Sequence, residues 1–345
     1  MPGKVHPDDL LDHVFARTGE TDDSVRLGPA TGEDAAAIDW PGGTLVVSSD
    51  PISLAASQVG TLGVHVGCND VAASGADPRW LTTVLLLPES ARSSDDSDDE
   101  GPGVLEQITH DLDTAARSVG ATIVGGHSEY VDALERPVVS LTAMGATETV
   151  IPTGGASPGE KVILTKAAGI EGTAILAADF GAELDIENAV CERAETFLEE
   201  ISVVPEARIV REYATAMHDP TEGGVIAASL ELAKAADVDV ELSREAIPVR
   251  PETAQLCEAA GVDPLRIFGS GALLATVPVD SVDACLEALA DAGIEAAAIG
   301  TVSACDGDVP TLEVDSQRFT EPIEDDLYPL WAAADAEEVR SEGND

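Results

Sequence analysis

Four short acidic stretches in the first half of the chain carry side chains that could bind a metal ion and phosphate. Carboxylate and amide oxygens suit hard cations such as Mg²⁺, which reach proteins together with nucleotide phosphates. One such aspartate is usually only a turn former, but four stretches together indicate a cation site. They are TGEDAAAI (31–38) with Glu33 and Asp34, SSDPIS (48–53) with Asp50, GCNDVAASGADP (67–78) with Asn69 and Asp70, and GGHSEYVDALERP (125–137) with His127 and Glu129.

A fifth stretch, MHDPTEGG (217–224), precedes an apolar run that is typical of a helix. Asp219, followed by proline, predicts a helix N-cap with proline at the first helical position. Glu222 would then lie in the first turn, where a carboxylate complements the helix dipole. The two glycines are poor helix residues and favour close approach of another backbone or a ligand. The stretch is therefore either a capped helix packed against a strand or a helix N-terminus that faces a ligand.

The chain lacks the glycine-rich motifs of P-loop and Rossmann nucleotide sites. Neither G-x-x-x-x-G-K-[ST] nor G-x-G-x-x-G occurs in it. Phosphates would therefore be held by metal ions on carboxylates rather than by a phosphate-binding loop. The stretch KAAGIEGTA (166–174) could add glycine N–H groups and the amine of Lys166.

The periodicity of apolar residues around these stretches predicts an α/β protein. Two sets of strands and helices are separated by PTGGASPG (152–159), the best candidate for a domain boundary. Three of the four acidic stretches lie at or just after a predicted strand, where open α/β sheets bind ligands. A solvated loop is expected at 91–103. The first set has strands at 44–49, 80–88, 121–126 and 137–146 and helices at 59–76 and 103–120; the second has strands at 161–166, 238–243, 272–278 and 296–302 and helices near 172–180, 187–199, 205–215, after MHDPTEGG and at 282–293.

The composition is that of a folded but very acidic chain of 345 residues. Its formal net charge is −47, yet 44% of the residues are hydrophobic, so disorder does not explain the acidity. Such a chain repels itself at low salt, because its charges are then poorly screened. The composition therefore indicates adaptation to concentrated salt, where the screening length falls to about 3 Å near 1 M.

Partners and compartment follow from the same composition. No basic patch is present that could meet nucleic acid, and no apolar run approaches membrane length. Five scattered cysteines without a C-x-x-C pair predict unpaired thiols in a reducing compartment. The N-terminus lacks an apolar signal core, so we expect a cytoplasmic protein.

Taken together, these motifs resemble the superfamily of aminoimidazole ribonucleotide (AIR) synthase. The matching segments are GEDAAAI, the SSD of the first strand, ND-x-A-x-S-G-A-x-P, the glycine pair after the third strand, and MHDPTEGG. The similarity runs from about residue 28 to 302 and is strongest to the hydrogenase maturation group (HypE). It is carried there by MHDPTEGGVIAASLELAKAADVDVELSREAIPV and DPLRIFGSGALLATVP.

The resemblance implies an α/β (α+β) fold of two PurM-like domains. Residues 1–150 would form an ATP- and Mg²⁺-binding domain whose sheet pairs with that of a second copy as a dimeric β-barrel. Residues 151–312 would form the C-terminal α/β domain, and residues 313–345 an acidic tail that is mostly irregular and partly docked. The implied partners are a second copy of the chain, ATP, and an unidentified small-molecule or protein substrate.

The resemblance also implies roles for the motif residues, and it favours the ligand-facing interpretation of 217–224. Asp34, Asp50 and Asp70 would bind Mg²⁺. Catalysis would involve Asp70, Asp219, Glu222 and His127. ATP would be bound by Asp34, Asp50, Asn69, Asp70, Gly125, Gly126, Glu129, Lys166, Gly223 and Gly224.

Two positions depart from the family pattern. After the glycine pair the chain carries His127 and Glu129, where HypE and thiamine-monophosphate kinase carry an aspartate. Either Glu129 replaces that ligand or the site has a different partner, and His127 is equally well explained as a structural histidine. HypE ends in a cysteine that receives a carbamoyl group, whereas this sequence ends SEGND and its last cysteine is Cys305. A thiocarbamate is therefore not expected.

The chemistry shared by the superfamily is transfer of the ATP γ-phosphate to an oxygen, or its loss to water. The first functional hypothesis is an Mg²⁺-dependent enzyme that acts on a small substrate or a protein carbamoyl group. Within that class, a small-molecule kinase of the thiamine-monophosphate kinase type is an alternative. The second hypothesis, from a different class, is a nucleotide-binding regulatory or assembly protein that does not turn ATP over.

Overall fold

The computed structural model describes residues 9–15, 17–20, 22–30, 32–52, 58–92 and 103–334. Over these residues the chain forms two mixed sheets covered by helices, in agreement with the predicted α/β pattern. The loop expected at 91–103 and the end of the tail lie mostly outside the described residues.

Sheet 1 contains six strands from the first half of the chain. They are β1 (Val25–Leu27), β2 (Ala36–Trp40), β3 (Gly43–Ile52), β4 (Asp77–Pro88), β5 (Thr122–Val131) and β6 (Val138–Thr147). Their order is β1-β2-β3-β6-β4-β5, and neighbours are antiparallel except for the parallel pair β4–β5. Side chains of the long strands alternate between a buried face and a half-buried or exposed face. The sheet is open, so the described part of one chain does not close a barrel.

Sheet 2 contains seven strands from the second half. They are β7 (Lys161–Thr165), β8 (Ala216–His218), β9 (Val238–Leu242), β10 (Leu274–Val277), β11 (Ala296–Ala304), β12 (Leu312–Val314) and β13 (Gln317–Phe319). Their order is β13-β12-β9-β11-β7-β10-β8, antiparallel except for the pair β9–β12. The expectation of an irregular tail is wrong for its first residues, because β12 and β13 form a hairpin that extends the sheet.

Eight α-helices cover the sheets in the described part of the chain. They are α1 (Val59–Ala73), α2 (Val104–Val119), α3 (Ile170–Ile175), α4 (Asn188–Glu195), α5 (Val204–Val210), α6 (Gly224–Ala236), α7 (Pro251–Ala260) and α8 (Val282–Asp291). Sequence periodicity did not predict α7, and it placed the end of α5 five residues too late. None of the helices in the described residues is long and apolar enough to cross a membrane.

Helix α1 is buried almost all round because glycines let it lie directly on its neighbours. A Cβ atom at Gly60 would come within 2.6 Å of the carbonyl oxygen of Ile108 in α2. A Cβ atom at Gly67 would come within 2.8 Å of Leu141 Cδ2 in β6. This close packing fixes the end of α1, which carries Asp70, against sheet 1.

The two halves share a hydrophobic cluster. It joins Val71 of α1 and Leu81 of β4 to Ile163 of β7, Met217 of β8 and Leu273. Because the core is continuous across the joint, side chains from both halves can meet in one buried site.

The predicted start of α6 is wrong. The helix begins at Gly224 with Gly223 as its N-cap residue, so Asp219 is not the cap and Glu222 precedes the first turn. The two glycines have φ of 75° and 61°, a left-handed conformation that ends the helix in the N-terminal direction. The predicted close approach is confirmed at Gly224, where a Cβ atom would lie 2.5 Å from the carbonyl oxygen of Ile267.

Candidate active site

Four aspartates from both halves of the chain form a carboxylate cluster, in which Asp70 and Asp219 are buried and Asp34 and Asp50 are half-buried. Asp34 lies just before β2, Asp50 in the last part of β3, Asp70 in the last turn of α1, and Asp219 directly after β8. Ser48 joins two of them, because its hydroxyl lies 3.1 Å from Asp50 Oδ2 and within hydrogen-bond distance of Asp70 Oδ2. Ser48 and Asp50 share a face of β3, as residues two apart in a strand do.

Ionisation of the carboxylates in the cluster is disfavoured by burial and by their mutual repulsion. Burial and the carboxylates of Asp219 and Asp50 raise the pKa of Asp70 well above its usual range. Burial and the Asp34 carboxylate raise the pKa of Asp219 to about 7. A carboxylate that is buried beside others of the same charge is easier to protonate. The site therefore favours a positive charge, whether a proton or a cation.

His218 supplies one positive charge at the edge of the cluster. Its Nδ1 lies 2.5 Å from Asp34 Oδ2, and its Nε2 lies 2.9 Å from Glu231 Oε2. Burial alone would lower the pKa of His218, but the two carboxylates outweigh it and raise that pKa well above its usual range. The imidazolium ring donates to both carboxylates and so orients Asp34.

Asp219 is the residue that most clearly fits a bound cation. It is 1% exposed, and neither of its carboxylate oxygens has a hydrogen-bond partner within the described part of the chain. Buried polar atoms are almost always paired, because leaving them unpaired costs free energy. Carboxylate oxygens of Asp34 and Asp219 lie within 4.8 Å of each other and of a ring nitrogen of His218. Because both nitrogens of His218 donate to carboxylates, His218 is a neighbour of the cation position and not a ligand. Oxygen ligands at this spacing suit a hard divalent cation such as Mg²⁺, which keeps further positions for phosphate or water.

The four predicted site residues of β5 lie apart from this cluster. Sheet pairing aligns Asp50 with Leu141, Leu141 with Thr83, and Thr83 with Gly126, so three strand spacings, about 14 Å, separate the cluster from Gly126. The predicted end of the strand at Gly126 is also wrong, because β5 continues to Val131 and includes His127 and Glu129.

The side chains of β5 do not meet other site residues within the described chain. His127 Nε2 and Glu129 Oε2 are 3.4 Å apart on the exposed edge of the sheet. Gly126 has a structural reason to be glycine, since a Cβ atom there would lie 2.0 Å from the carbonyl oxygen of Thr83. His127 and both glycines border a groove of about 310 Å³ beside Ile123 and Leu112.

Two further predicted ATP-binding residues use their polar atoms on the chain itself. Asn69, buried beside Asp70, binds the main chain of Ile201 and Val203. The amine of Lys166 donates to the carbonyl oxygens of Glu200, Ser202 and Gly271, at 2.8 Å each, and forms an ion pair of 2.8 Å with Glu206. An amine with these partners has no proton left for phosphate.

The loop from Asp219 to Gly224 is held from the tail. Asp325 accepts hydrogen bonds from the N–H of Gly223 at 2.8 Å and of Leu327 at 2.9 Å. Burial raises the pKa of Asp325 to about 7. Glu222 lies beside Tyr328, whose pKa is raised by burial and by the Glu222 carboxylate. Glu222 therefore faces the docked tail.

Sequence reasoning missed Ser48, His218 and Asp325. The first two had a signal: Ser48 shares a strand face with Asp50, and His218 directly precedes Asp219 in a motif already selected. Asp325 had no such signal, since it lies 102 residues from Gly223, whose N–H donates a hydrogen bond to it.

Comparison with known proteins adds to this geometry. The chain matches family models described as AIR synthase related protein, N-terminal domain over residues 32–147 and C-terminal domain over 157–313. A carbamoyl dehydratase HypE from Rhizobium leguminosarum bv. viciae is 31% identical over 288 residues, 80% of this chain and 78% of the relative.

Two solved structures extend the comparison to the fold. The crystal structure of a HypE–HypF complex aligns with a TM-score of 0.72 at 22% identity, over 91% of this chain and 99% of that one. The crystal structure of hydrogenase maturation protein HypE in complex with ATP aligns with a TM-score of 0.64 at 24% identity, over 92% and 94% of the two chains. These matches confirm the expected family resemblance and the two-domain α/β fold.

Proposed function

The chain belongs to the AIR synthase related family, and on that premise we propose that it binds ATP with Mg²⁺ at the carboxylate cluster and transfers the γ-phosphoryl group to an oxygen atom. The observation that carries the proposal is Asp219, a buried carboxylate beside Asp34 and His218 whose two oxygens have no hydrogen-bond partner among the residues that the structure describes. A bound cation would give those oxygens the positive partner that the described residues do not supply. The HypE structure solved with ATP supports the choice of nucleotide.

Each residue of the cluster has a distinct part in this function. Asp34, Asp50, Asp70 and Asp219 would hold Mg²⁺, which neutralises the charge on phosphate oxygens and orients them. Ser48 keeps Asp50 and Asp70 turned toward each other, and His218 orients Asp34. Because Asp70 and Asp219 are buried, water is excluded from their side of the site, and electrostatic interactions there are stronger than in solvent.

The acceptor that we propose is an oxygen of a small substrate or of a carbamoyl group carried by a partner protein. The carbamoyl group on a partner protein is the acceptor favoured by the relative named carbamoyl dehydratase and by the HypE–HypF complex among the similar structures. Dehydration of a carbamoyl group removes its oxygen, and phosphorylation would convert that oxygen into a leaving group. The chain would then act on a protein partner at the same cluster.

Phosphate release is the test of turnover. We expect Mg²⁺-dependent release of phosphate from ATP at molar KCl when the correct acceptor is supplied, and loss of that release in Asp70→Asn. Screening small metabolites and carbamoylated proteins in parallel distinguishes the two acceptor classes. Tight Mg·ATP binding without release for any acceptor would contradict the enzyme and favour the nucleotide-binding regulatory protein.

The protein is further proposed to be a homodimer paired through sheet 1. In the described part of the chain, helices pack on one face of this sheet, while Val84 on the other face and Val124 on the edge strand β5 are 38% and 56% exposed. A second copy would cover this surface and the edge of β5. Light scattering at molar KCl should return twice the mass of 35.5 kDa. A monomer mass throughout the micromolar range would contradict pairing.

A cytoplasmic location is the compartment that fits these proposals. All five cysteines are unpaired, and three of them, Cys68, Cys257 and Cys285, are buried. Unpaired thiols are typical of proteins in a reducing compartment, which is also where ATP is available.

A further inference from the structure

We propose that Asn69 and Glu33 are positioning residues, which bind main chain across the joint between the two halves and thereby hold Asp70 and Asp34 against Asp219. The inference deepens the proposed function, because it assigns the assembly of the same carboxylate cluster to two residues that do not belong to it. Neither residue is inferred to touch ATP or the cation.

Asn69 binds the second half of the chain with both ends of its amide. Its Nδ2 donates to the carbonyl oxygen of Ile201 at 2.9 Å, and its Oδ1 accepts from the N–H of Val203 at 2.8 Å. The side chain is fully buried. Such a pair fixes both the position and the rotation of the last turn of α1, since a turned helix would break both bonds.

Glu33 makes the corresponding contact on the other side of the site. Its Oε1 accepts from the N–H of Gly154 at 3.2 Å, and its Oε2 accepts from the N–H of Thr153 at 3.3 Å. These residues belong to the short 3-10 turn Thr153–Gly155, which packs on α6. The turn is tightly fitted there, since a Cβ atom at Gly154 would lie 2.7 Å from the carbonyl oxygen of Ala235.

The two contacts share one arrangement. Each residue directly precedes a cluster aspartate, so that one side chain binds main chain across the joint while the next enters the cluster. His218, the last residue of β8, and Asp219, directly after that strand, reach the cluster from the far side of the joint. The separation of the carboxylates is therefore set by how the two halves are held together.

A restraint of this kind is required because the cluster repels itself. Ser48 lies within hydrogen-bond distance of both Asp50 and Asp70, and carboxylate oxygens of Asp34 and Asp219 lie within 4.8 Å of each other, so like charges are brought close together. Without a bound cation, separation of the ionised carboxylates would lower their electrostatic free energy. The buried hydrogen bonds of Asn69 and the half-buried ones of Glu33 oppose that separation and keep the site assembled before the ligand arrives.

The chain offers a matched control at the same joint. Arg208 of α5 donates from Nε to Asp77 Oδ1 of β4 at 2.7 Å. It also ties the two halves together, but neither it nor Asp77 adjoins a cluster aspartate. Arg211 binds the same carboxylate at 3.0 Å, so the control loses one contact and keeps the other.

A double-mutant cycle on unfolding tests the inference without any ligand. At pH 8, in molar KCl with chelator, Asp219→Asn should raise the unfolding midpoint of the parent by relieving the repulsion. In the Asn69→Ala background, and separately in Glu33→Gln, roughly half or more of that gain should be lost, because the carboxylates are no longer held together. In Arg208→Ala the gain should be unchanged. An equal gain in all four backgrounds would overturn the inference.

Mg·ATP binding provides the second readout. Asn69→Ala should weaken Mg·ATP by about tenfold or more, equal to about 1.4 kcal/mol, while Arg208→Ala binds as the parent does. Equal affinity in Asn69→Ala and the parent would also overturn the inference. If the parent itself binds no Mg·ATP, the proposed function fails, and the unfolding cycle still decides whether Asn69 and Glu33 position the carboxylates.

Discussion

Asp219 shows how a single residue can make stability depend on pH and on cations. Folding raises the pKa of Asp219 from its ordinary value of 3.8 to about 7, so the folded state binds a proton more tightly than the unfolded state does. Its contribution to stability is therefore fully present at low pH and is lost as pH rises through about 7. A divalent cation would replace the proton above that range.

The corresponding prediction compares the parent with Asp219→Asn in chelator. Between pH 5 and pH 8 the unfolding midpoint of the parent should fall relative to that of the variant, because only the parent must ionise a buried carboxylate. Mg²⁺ should restore the parent at pH 8 and have little effect on Asp219→Asn. Parallel pH profiles of the two proteins, measured by thermal unfolding, would contradict the environment assigned to Asp219.

Among the elements, helix α6 depends on a single glycine, because Gly224 sets where the helix begins. The residue has φ of 61°, and a Cβ atom would lie 2.5 Å from the carbonyl oxygen of Ile267 and 2.7 Å from that of Leu265. The helix and the loop that carries Asp219 are thus fixed relative to the 265–267 segment by the absence of a side chain.

Gly224→Ala should therefore destabilise the protein by about 3 kcal/mol or more, through left-handed strain and a clash with main chain that cannot move away. Gly120→Ala is the matched control, since Gly120 has φ of 80° at the end of α2 but open space around it. It should lose only about 1 kcal/mol. Denaturant unfolding of both variants checks this, and similar losses would show that the close approach at Gly224 is unimportant.

Elements with long periodic patterns were predictable from the sequence, and those fixed by distant contacts were not. α1, α2, β3, β4 and β6 were placed to within a few residues, because each carries its own apolar pattern. The start of α6 was wrong because local capping rules favoured Asp219, whereas a carboxylate from residue 325 binds the N–H of Gly223. Short strands such as β8 and β12 owe their structure to pairing, which sequence patterns do not show.

The residues of the candidate site also divide into those that the sequence indicated and those whose contacts it could not show. The fold brings Asp34, Asp50, Asp70 and Asp219 together, and the sequence had offered all four because their motifs concentrate carboxylates among small residues; their roles at the site stay predictions. Asn69 and Lys166 were assigned to ATP, yet their polar atoms bind main chain 34 or more residues away. Residue type alone cannot separate these roles, since an amide or an amine suits a phosphate and a carbonyl oxygen equally well.

At the scale of the whole molecule, charge dominates the expected behaviour. The formal net charge is −47, and few basic residues are available to offset it within the fold. Self-repulsion of this size is screened only at high ionic strength. The unfolding midpoint should therefore be much lower in 0.1 M than in 2 M KCl, and thermal scans in both salts would measure it.

The control for this prediction is a non-ionic osmolyte such as sucrose at equal osmolality, because excluded solutes stabilise folded proteins without screening charge. Sucrose should recover only part of the loss seen at 0.1 M KCl. Equal midpoints in both salts, or full recovery in sucrose, would show that charge screening does not govern stability.

Calorimetry of Mg·ATP binding at molar KCl tests most directly whether the carboxylate cluster is the Mg·ATP site. Asp70→Asn keeps the shape of the side chain but removes one charge from the cluster, so affinity should fall about tenfold or more while the fold is retained or stabilised. Glu106→Gln, on the exposed face of α2, changes charge by the same amount away from the cluster and should bind as the parent does. If Asp70→Asn binds Mg·ATP as tightly as the parent and as Glu106→Gln, the cluster is not the metal–nucleotide site.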